Sequence, residues 1–176
     1  DPGFDMKGRK AGPLLELVAA WHEELNREQK KASGSWEESG ITPFDYIEEN
    51  QNTGSVTRWT INELLTRKEL IDEGKTMKHC VGSYTYSCAK GTKSVWSLRM
   101  EDLDQNGERH VLTIAVKNDI RKVVQARGKC NAMAGMRPGS REQAGVLKRE
   151  EERLEVGRRI MRMWGKENNI DVPRYT

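Results

Sequence analysis

The chain has 176 residues, of which 35% are hydrophobic and 32% are charged, and its formal net charge is +3. This length allows one domain with its own core, without disulfides or metals to hold it together. The small positive charge permits contacts with phosphate but excludes the strongly basic class of proteins that coat DNA.

Cysteine content and hydropathy indicate the cellular compartment of the chain. Its three cysteines, an odd number, argue against a disulfide framework and for a reducing, cytoplasmic environment. No apolar run approaches the roughly 18 residues of a membrane helix, and no signal-peptide pattern is present, so we expect no membrane contact. The chain starts at Asp1 rather than Met, which indicates a fragment of a longer protein. We expect residues 1–176 to form a single domain.

The first third of the chain contains predicted helices and one short strand. Residues 13–31 place apolar side chains at helical spacing, which predicts an amphipathic helix. Residues 42–50 favour a short helix that carries Phe44 and Ile47, and residues 55–60 favour a short edge strand.

Two more helices are predicted before the sheet. Asn62 is the expected N-cap of the first, which ends at Gly74. Its predicted inward residues are Leu64, Leu65, Leu70 and Ile71. The second helix spans about residues 81–90, and Gly91 stops it.

Three segments then alternate apolar and polar side chains. These segments, 94–100, 109–117 and 120–127, predict an antiparallel meander. On a strict alternation, one face carries Trp96, Leu98 and Val124. The opposite face carries Val123 and five polar residues: Ser97, Arg99, Thr113, Gln125 and Arg127.

A long, charge-rich helix closes the chain. Ser140 and Gln143 resemble a capping box at its start. Its predicted buried stripe consists of Leu147, Leu154, Ile160, Met161 and Trp164. The fold class is therefore α+β: a small antiparallel meander of three to four strands packed by helices on one side, with N-terminal helices and a long C-terminal helix.

His79 and Cys80 are the first candidates for chemistry. Nucleophilic thiols are usually activated by a helix start and a neighbouring imidazole, both of which stabilise the thiolate, and the sequence predicts both for Cys80. In such an enzyme His79 is the base, and Gln125 or Asn131 orients the base or stabilises an oxyanion.

A structural interpretation of the same residues stays open. Cys80, Tyr84 and Cys88 recur at i, i+4 and i+8, which also fits one inward helix face, because free cysteine is among the most buried residue types. The cysteines and His79 lack the CxxC or HxxxH spacing of zinc sites. We predict no metal and no other cofactor.

The polar sheet face and the turn after it are the second candidate. Arg99 and Arg127 favour phosphate or carboxylate, with Tyr84, Thr113 and Asn131 as further ligand-binding candidates. A basic rim suited to non-specific phosphate contacts consists of Arg121, Lys122, Arg137, Arg141, Lys148 and Arg149. We expect this face and the His79-Cys80 turn to line one pocket, although an ordinary solvated sheet face has the same pattern.

Several motifs occur in a fixed order within residues 63–131: Glu73-Gly74, Met77-x-His79-Cys80-Val81, Tyr84, Cys88, Gly91, Ser97-Leu98-Arg99, Thr113 and Gln125-x-Arg127-Gly128-x-x-Asn131. This set resembles the PcfJ-like family, whose members occur on conjugative plasmids, phages and related mobile elements. The resemblance implies a setting in plasmid transfer, phage biology or defence, and it brings no settled biochemical activity. It implies that the positions to test are His79, Cys80, Tyr84, Arg99, Gln125, Arg127 and Asn131.

Our first functional hypothesis is a domain directed at DNA, RNA or a nucleotide. Arg99, Arg127 and Asn131 grip phosphate or base in this hypothesis, and His79 is available as an acid or base.

Two further hypotheses belong to other classes. One is the cysteine enzyme with Cys80 as nucleophile. The other is an adaptor without catalysis, for protein partners of a plasmid or phage system. In the adaptor the motif is a structural hub, with His79 and Tyr84 bonded to Gln125 and Asn131.

Overall fold

The computed structural model describes residues 34–51, 54–104, 107–133, 137–139 and 141–173, without the side chains of 142, 143, 146 and 149. The described residues belong to one compact unit, Gly34–Thr176. The predicted helix 13–31 and the predicted capping box of Ser140 and Gln143 lie outside what is described. Among the described helices, none is both long and apolar enough to cross a membrane.

The fold is α+β, as predicted, and the described part of the chain forms an antiparallel sheet of five strands rather than three or four, in the order β1-β2-β3-β4-β5. The strands are β1 (Phe44–Glu49), β2 (Val56–Glu63), β3 (Lys93–Asp102), β4 (Gly107–Lys117) and β5 (Lys122–Arg127). The described helices are α1 (Arg67–Met77), α2 (Thr85–Ala89) and α3 (Arg141–Glu167), with 3-10 turns at Gly82–Tyr84 and Lys129–Asn131.

The first strand lies where the sequence favoured a helix, so that prediction is wrong. Phe44 and Tyr46 point inward whereas Asp45 and Ile47 are exposed, which is the two-residue period of a strand. The inward rings of Phe44 and Tyr46 stack with their centroids 6.2 Å apart. Because β1 pairs with the outer side of β2, the predicted edge strand is an interior strand.

Helices cover both faces of the sheet, not one as predicted. On one face, Trp96 packs against Trp164 of α3, with ring centroids 5.0 Å apart. On the other face, Val95 forms a second buried cluster with Leu70 of α1 and Cys88 of α2. The polar side chains that share this second face are therefore enclosed rather than solvated.

The helix α1 begins four residues later than predicted from Asn62 as its cap. Asn62 pairs with Ser97 inside the sheet, since β2 continues to Glu63. Thr66 is the N-cap and forms a capping box with Glu69. The helix passes the predicted stop at Gly74 and ends at Met77, where Lys78 adopts the left-handed conformation with φ 53°.

The predicted second helix is shorter and starts later than residue 81. A 3-10 turn, Gly82–Tyr84, precedes the five residues of α2, so Cys80 does not lie at the start of an α-helix. Within the proposed inward face, Cys88 is buried and Tyr84 is half-buried, but Cys80 is exposed. In α3, by contrast, the predicted stripe is confirmed, since all five of its residues are buried.

Two irregularities in strand pairing change which side chains share a face. Between β4 and β5 the register shifts after Ala115, so that Val116 pairs with Val123 and Val124 is the extra residue. Val123 therefore lies in the core with Trp96, while Val124 is 41% exposed. Both predictions from strict alternation, Val123 beside Gln125 and Val124 beside Trp96, are wrong for this reason.

A tight contact joins β5 to α3. A Cβ placed on Gly128 would lie 2.5 Å from Leu154 Cδ2 and 3.3 Å from the carbonyl oxygen of Ala132. Gly128 also donates its backbone N–H to that carbonyl at 2.8 Å. The absent side chain thus admits the core residue Leu154, which accounts for this glycine without a ligand.

We predict that Gly128→Ala lowers the free energy of unfolding by about 1–3 kcal/mol, because the added methyl overpacks the contact with Leu154. Urea denaturation measures the change. Gly107→Ala is the matched control, since a Cβ there meets nothing within 4 Å. In a Leu154→Ala background the penalty of Gly128→Ala should vanish, and an undiminished penalty would contradict the contact.

Candidate functional site

A buried carboxylate joins α1 to the sheet. The side chain of Glu73 is 1% exposed. Its Oε2 accepts hydrogen bonds from Ser97 Oγ at 2.9 Å and from His110 Nδ1 at 2.7 Å. Its Oε1 accepts one from Thr113 Oγ1 at 2.6 Å. We call these four residues the Glu73 network.

The balance of burial and hydrogen bonding keeps Glu73 ionised. Burial alone would raise the pKa of the carboxyl group, because it disfavours the charged form. The hydrogen bonds from His110, Thr113 and Ser97, with the charge of His110, outweigh burial and lower the pKa below 4.5. The network is therefore a fixed negative charge beneath the sheet face.

A β-bulge places His110 in this network. The pairing of β3 and β4 passes from Leu98 opposite Leu112 to Arg99 opposite His110, so Val111 is an extra residue. Strict alternation would put His110 with Leu112 on the Trp96 face. The bulge brings it instead to the face of Thr113.

Arg99 lies beside the Glu73 network. Its Nε donates to Ser97 Oγ at 3.1 Å, and its Nη1 forms an ion pair with Glu108 at 3.2 Å. Arg99 thus supports the hydroxyl that donates to Glu73, and its own charge is partly balanced.

A small cavity opens on the same sheet face. Its volume is about 20 Å³. We call it the His79 pocket; its lining residues are His79, Cys80, Val81, Tyr84, Val95, Thr113, Ala115, Gln125, Arg127 and Asn131. The turn after α1, the face of β4 and β5, and the 3-10 turn after β5 supply these side chains. A cavity of this size holds about one water molecule.

The structure thus gathers most of the predicted site residues. The His79 pocket contains seven of the eight: His79, Cys80, Tyr84, Thr113, Gln125, Arg127 and Asn131. Arg99 does not line it, so one guanidinium group and not two shares the pocket with the imidazole. The chemical roles assigned to these residues stay predictions.

Two polar side chains of this pocket differ in how they are satisfied. Tyr84 donates its hydroxyl to Gln125 Oε1 at 2.6 Å, which ties the segment before α2 to β5. His79 Nε2 is buried and has no partner among the described residues. Burial lowers the pKa of His79, although the nearby charge of Glu73 acts in the opposite direction. His79 is therefore a neutral imidazole at pH 7.

A second, larger pocket lies between the end of α1, the start of β4 and α3. Its volume is about 250 Å³. We call it the charged pocket; it is lined by Thr76, Met77, Glu108, Arg109, His110, Val111, Lys129, Glu150, Arg153 and Leu154. His110 belongs both to this lining and to the Glu73 network.

The charges of this pocket are not fully paired. Glu108 pairs with Arg99, and Glu150 pairs with Arg153 at 2.6 Å. Arg109 and Lys129 are exposed, and neither forms an ion pair with any residue that the structure describes. Arg109 and Lys129 therefore leave unbalanced positive charge in the lining of this pocket.

Part of the predicted basic rim has another role. Arg121 donates Nε and Nη2 to the carbonyl oxygen of Asn168, at 3.2 and 2.8 Å. Lys122 pairs with Asp171 at 2.9 Å. These two cations hold the chain after α3 against β5, so they have a structural role, and their part in a ligand-binding rim stays a prediction. Among the described residues, no group of three or more His, Cys, Asp or Glu side chains is placed to hold a metal ion.

A comparison with models of protein families identifies the family of this chain. Residues 18–136, more than half of it, match the model described as PcfJ-like protein. The chain belongs to the PcfJ-like family. No curated protein and no solved structure matches it. The matched span includes the Glu73 network and the whole lining of the His79 pocket, and it ends before α3.

Two members of the site in this PcfJ-like chain were missed as functional residues. Glu73 lies between Leu70 and Met77 on the inward stripe of α1, where a carboxylate is out of place. That position was the available signal, since buried charges need partners. His110 had no such signal, because the bulge that turns it toward Glu73 is not visible in the sequence.

We predict that Glu73→Ala lowers the free energy of unfolding by about 3–5 kcal/mol, since it leaves three donors without their shared, buried acceptor. Urea denaturation at pH 7 measures the loss. Ile71→Ala on the exposed side of the same helix is the control, with an expected loss of less than about 1 kcal/mol. A loss for Glu73→Ala as small as that of the control would contradict the network.

The pH dependence of stability tests the charge of Glu73. Because its pKa is lowered in the folded state, its contribution is present above the ordinary value of 4.5 and is lost as pH falls through the lowered pKa. Glu73→Gln does not titrate. We therefore expect the stability difference between the two proteins to be largest above about pH 5 and to shrink toward pH 3. A difference that stays constant over this range would show that the buried group is not ionised.

Alkylation distinguishes the cysteines. Burial raises the pKa of the Cys88 thiol to about 12, so we expect Cys88 to resist iodoacetamide in the folded protein at pH 8. Cys80 is exposed and should react. Mass spectrometry of peptides after timed labelling measures both rates. In urea Cys88 should react as fast as Cys80, and fast labelling of native Cys88 would contradict its burial.

Proposed function

We propose that this PcfJ-like chain is a domain directed at nucleic acids or nucleotides, which it recognises through their phosphate groups. The observation that carries this proposal is the pair of free cations, Arg109 and Lys129, at the opening of the charged pocket. They line the same pocket as His110, whose partly exposed ring offers a bound ligand a hydrogen-bonding group as well as charge.

The distribution of ion pairs favours an anionic ligand. Nearby carboxylates would normally neutralise exposed cations, but Glu108 and Glu150 already have other partners. A phosphate between Arg109 and Lys129 would gain two charge-assisted hydrogen bonds, which are stronger than neutral ones. Arg127, on the neighbouring pocket, would extend the positive surface along β5.

Pocket size favours a polymer over an enclosed nucleotide. Pockets that enclose a small ligand usually measure about 300–1,000 Å³. The charged pocket has about 250 Å³ and the His79 pocket about 20 Å³. A single phosphate and its sugar fit the first of these, so we propose that a nucleic-acid strand lies across the opening. DNA, RNA and free nucleotides share the phosphate chemistry.

The family gives this proposal its setting. We propose, from the resemblance, that the domain acts in plasmid transfer, phage biology or defence. The three free cysteines are consistent with a reducing cytoplasm.

The adaptor remains a second candidate, because one contact favours it. The hydrogen bond from Tyr84 to Gln125 is one that the hub hypothesis requires. The hub explains the buried parts of the site but not the free cations Arg109 and Lys129. A protein partner of a plasmid or phage system with an acidic surface would use those cations. The cysteine enzyme has no such support, since His79 makes no hydrogen bond to Cys80 among the described contacts.

We predict that the full chain binds labelled single-stranded RNA or DNA with an affinity that falls as salt rises. Fluorescence anisotropy between 50 and 300 mM salt gives the slope of log K against log salt. The double variant Arg109→Gln/Lys129→Gln should weaken binding and reduce the slope by about 1.4, since each phosphate contact on a single strand contributes about 0.7. Competition by nucleoside triphosphates tests whether free nucleotides bind at the same site.

The matched control for this prediction is Lys117→Gln. Lys117 lies at the other end of the same strand, about 26 Å from Arg109 at 3.3 Å per residue. It pairs with Asp119, so its replacement changes net charge without touching either pocket. An equal loss per removed charge in the control and in the double variant would mean binding by net charge alone. No salt-sensitive binding to RNA, DNA or nucleotides would overturn the proposal.

A further inference from the structure

We propose that His110 is a general base, positioned by Glu73, that cleaves RNA bound at the charged pocket. This inference rests on the proposed binding of nucleic acid and adds a reaction to it. His110 is the catalytic residue of the proposal, and Glu73 is a positioning residue because it acts through the imidazole.

The geometry around Glu73 fixes one edge of the imidazole. The Nδ1 atom of His110 lies 2.7 Å from Glu73 Oε2. Ser97 and Thr113 hold the same carboxylate from β3 and β4, so it cannot rotate away. Since an ionised carboxylate only accepts hydrogen bonds, Nδ1 carries a proton, and in the neutral form of the ring Nε2 keeps its lone pair.

The other edge of the ring reaches the charged pocket. The side chain of His110 is 19% exposed, and it lines the cavity of about 250 Å³. Its hydrogen bonds to the described residues, Ser97 and Glu73, both use Nδ1. A carboxylate on one ring nitrogen and an open cavity on the other is the arrangement of a working general base.

His79 does not meet both conditions. Its Nε2 is buried, its cavity admits about one water molecule, and no carboxylate of the described residues bonds to its ring. The base of a reaction on a polymer has to touch the reacting group. Of the two described histidines, His110 therefore suits this chemistry.

The charges near His110 point to a phosphodiester as substrate. Arg109, Lys129 and Arg153 line the same pocket and would stabilise the added negative charge of a pentavalent phosphorane. The 2′-hydroxyl of RNA is an internal nucleophile, and a positioned intramolecular nucleophile has an effective molarity of about 10⁵–10⁸ M. One imidazole can then supply the proton acceptor, and the surrounding cations can supply the stabilisation of negative charge.

The proposed step conserves atoms and charge. The lone pair of His110 Nε2 takes the proton of the 2′-hydroxyl, and the 2′ oxygen forms a bond to the adjacent phosphorus. The bond from phosphorus to the 5′ oxygen breaks, and its electron pair stays on that oxygen. The imidazolium returns the proton to the 5′ oxygen through a water molecule. The products are a 2′,3′-cyclic phosphate and a 5′-hydroxyl, with no change in oxidation state.

The test uses the full chain and a DNA oligonucleotide that contains a single ribonucleotide. Mass spectrometry should detect one cut, with a 2′,3′-cyclic phosphate on the 5′ fragment. His110→Ala, purified in the same way, should cleave at least about 100-fold more slowly, since a general base contributes about 10²–10⁴. Added imidazole should restore part of the rate, and Lys117→Gln should cleave like the unchanged protein.

A double-mutant cycle separates positioning by Glu73 from a structural role. Glu73→Gln removes the carboxylate that holds Nδ1 of His110, so the cleavage rate should fall in the unchanged background. In the His110→Ala background Glu73→Gln should lower the rate no further, because Glu73 acts through the imidazole. A structural loss would lower the rate in both backgrounds.

The outcomes distinguish this inference from the proposed function. RNA that binds with a salt-sensitive affinity but stays intact overturns the cleavage and leaves the binding. Equal cleavage by His110→Ala, or cleavage of an all-deoxy oligonucleotide, overturns the role of His110 and the 2′-hydroxyl. An absence of binding overturns both.

Discussion

The buried carboxylate of Glu73 is the interaction on which the site depends. Moving a carboxylate from water into a protein interior costs several kcal/mol, and only well-placed donors offset this cost. Here the donors come from two neighbouring strands: Ser97 on β3, and His110 and Thr113 on β4. Because all three must reach one carboxylate, the register of these strands and the rotation of α1 are fixed together.

This constraint places both pockets. The turn after α1 begins at Lys78, five residues beyond Glu73, and it delivers His79 to the His79 pocket. A Cβ on Gly74 would lie 2.9 Å from the carbonyl oxygen of His79, so the turn folds back closely on the helix. His110 lines the charged pocket and Thr113 lines the His79 pocket, and both bond to Glu73, so the Glu73 network connects the two pockets.

Sequence patterns predicted the parts of the fold in which local and tertiary preferences agree. The stripe of α3 and the meander of β3, β4 and β5 follow from regular spacing. The strand β1 was missed because its alternation is weak and Thr42-Pro43 resembles a helix start. Val123 was placed on the wrong face and His110 was overlooked, since each lies beside a bulge. A bulge adds one residue, and strict counting then assigns every later side chain to the opposite face.

Stability alone is a poor explanation for the Glu73 network. A buried ion pair can often be replaced by apolar residues of similar volume at no loss of stability. Leu70 and Met77 already form an apolar stripe on either side of Glu73, so a leucine at this position would continue the core. A purely structural hub would also enclose its partners, yet His110 keeps an exposed edge beside the free cations Arg109 and Lys129. A buried carboxylate that holds a partly exposed imidazole beside free cations fits the proposed orientation of a proton acceptor better than it fits the packing of a core.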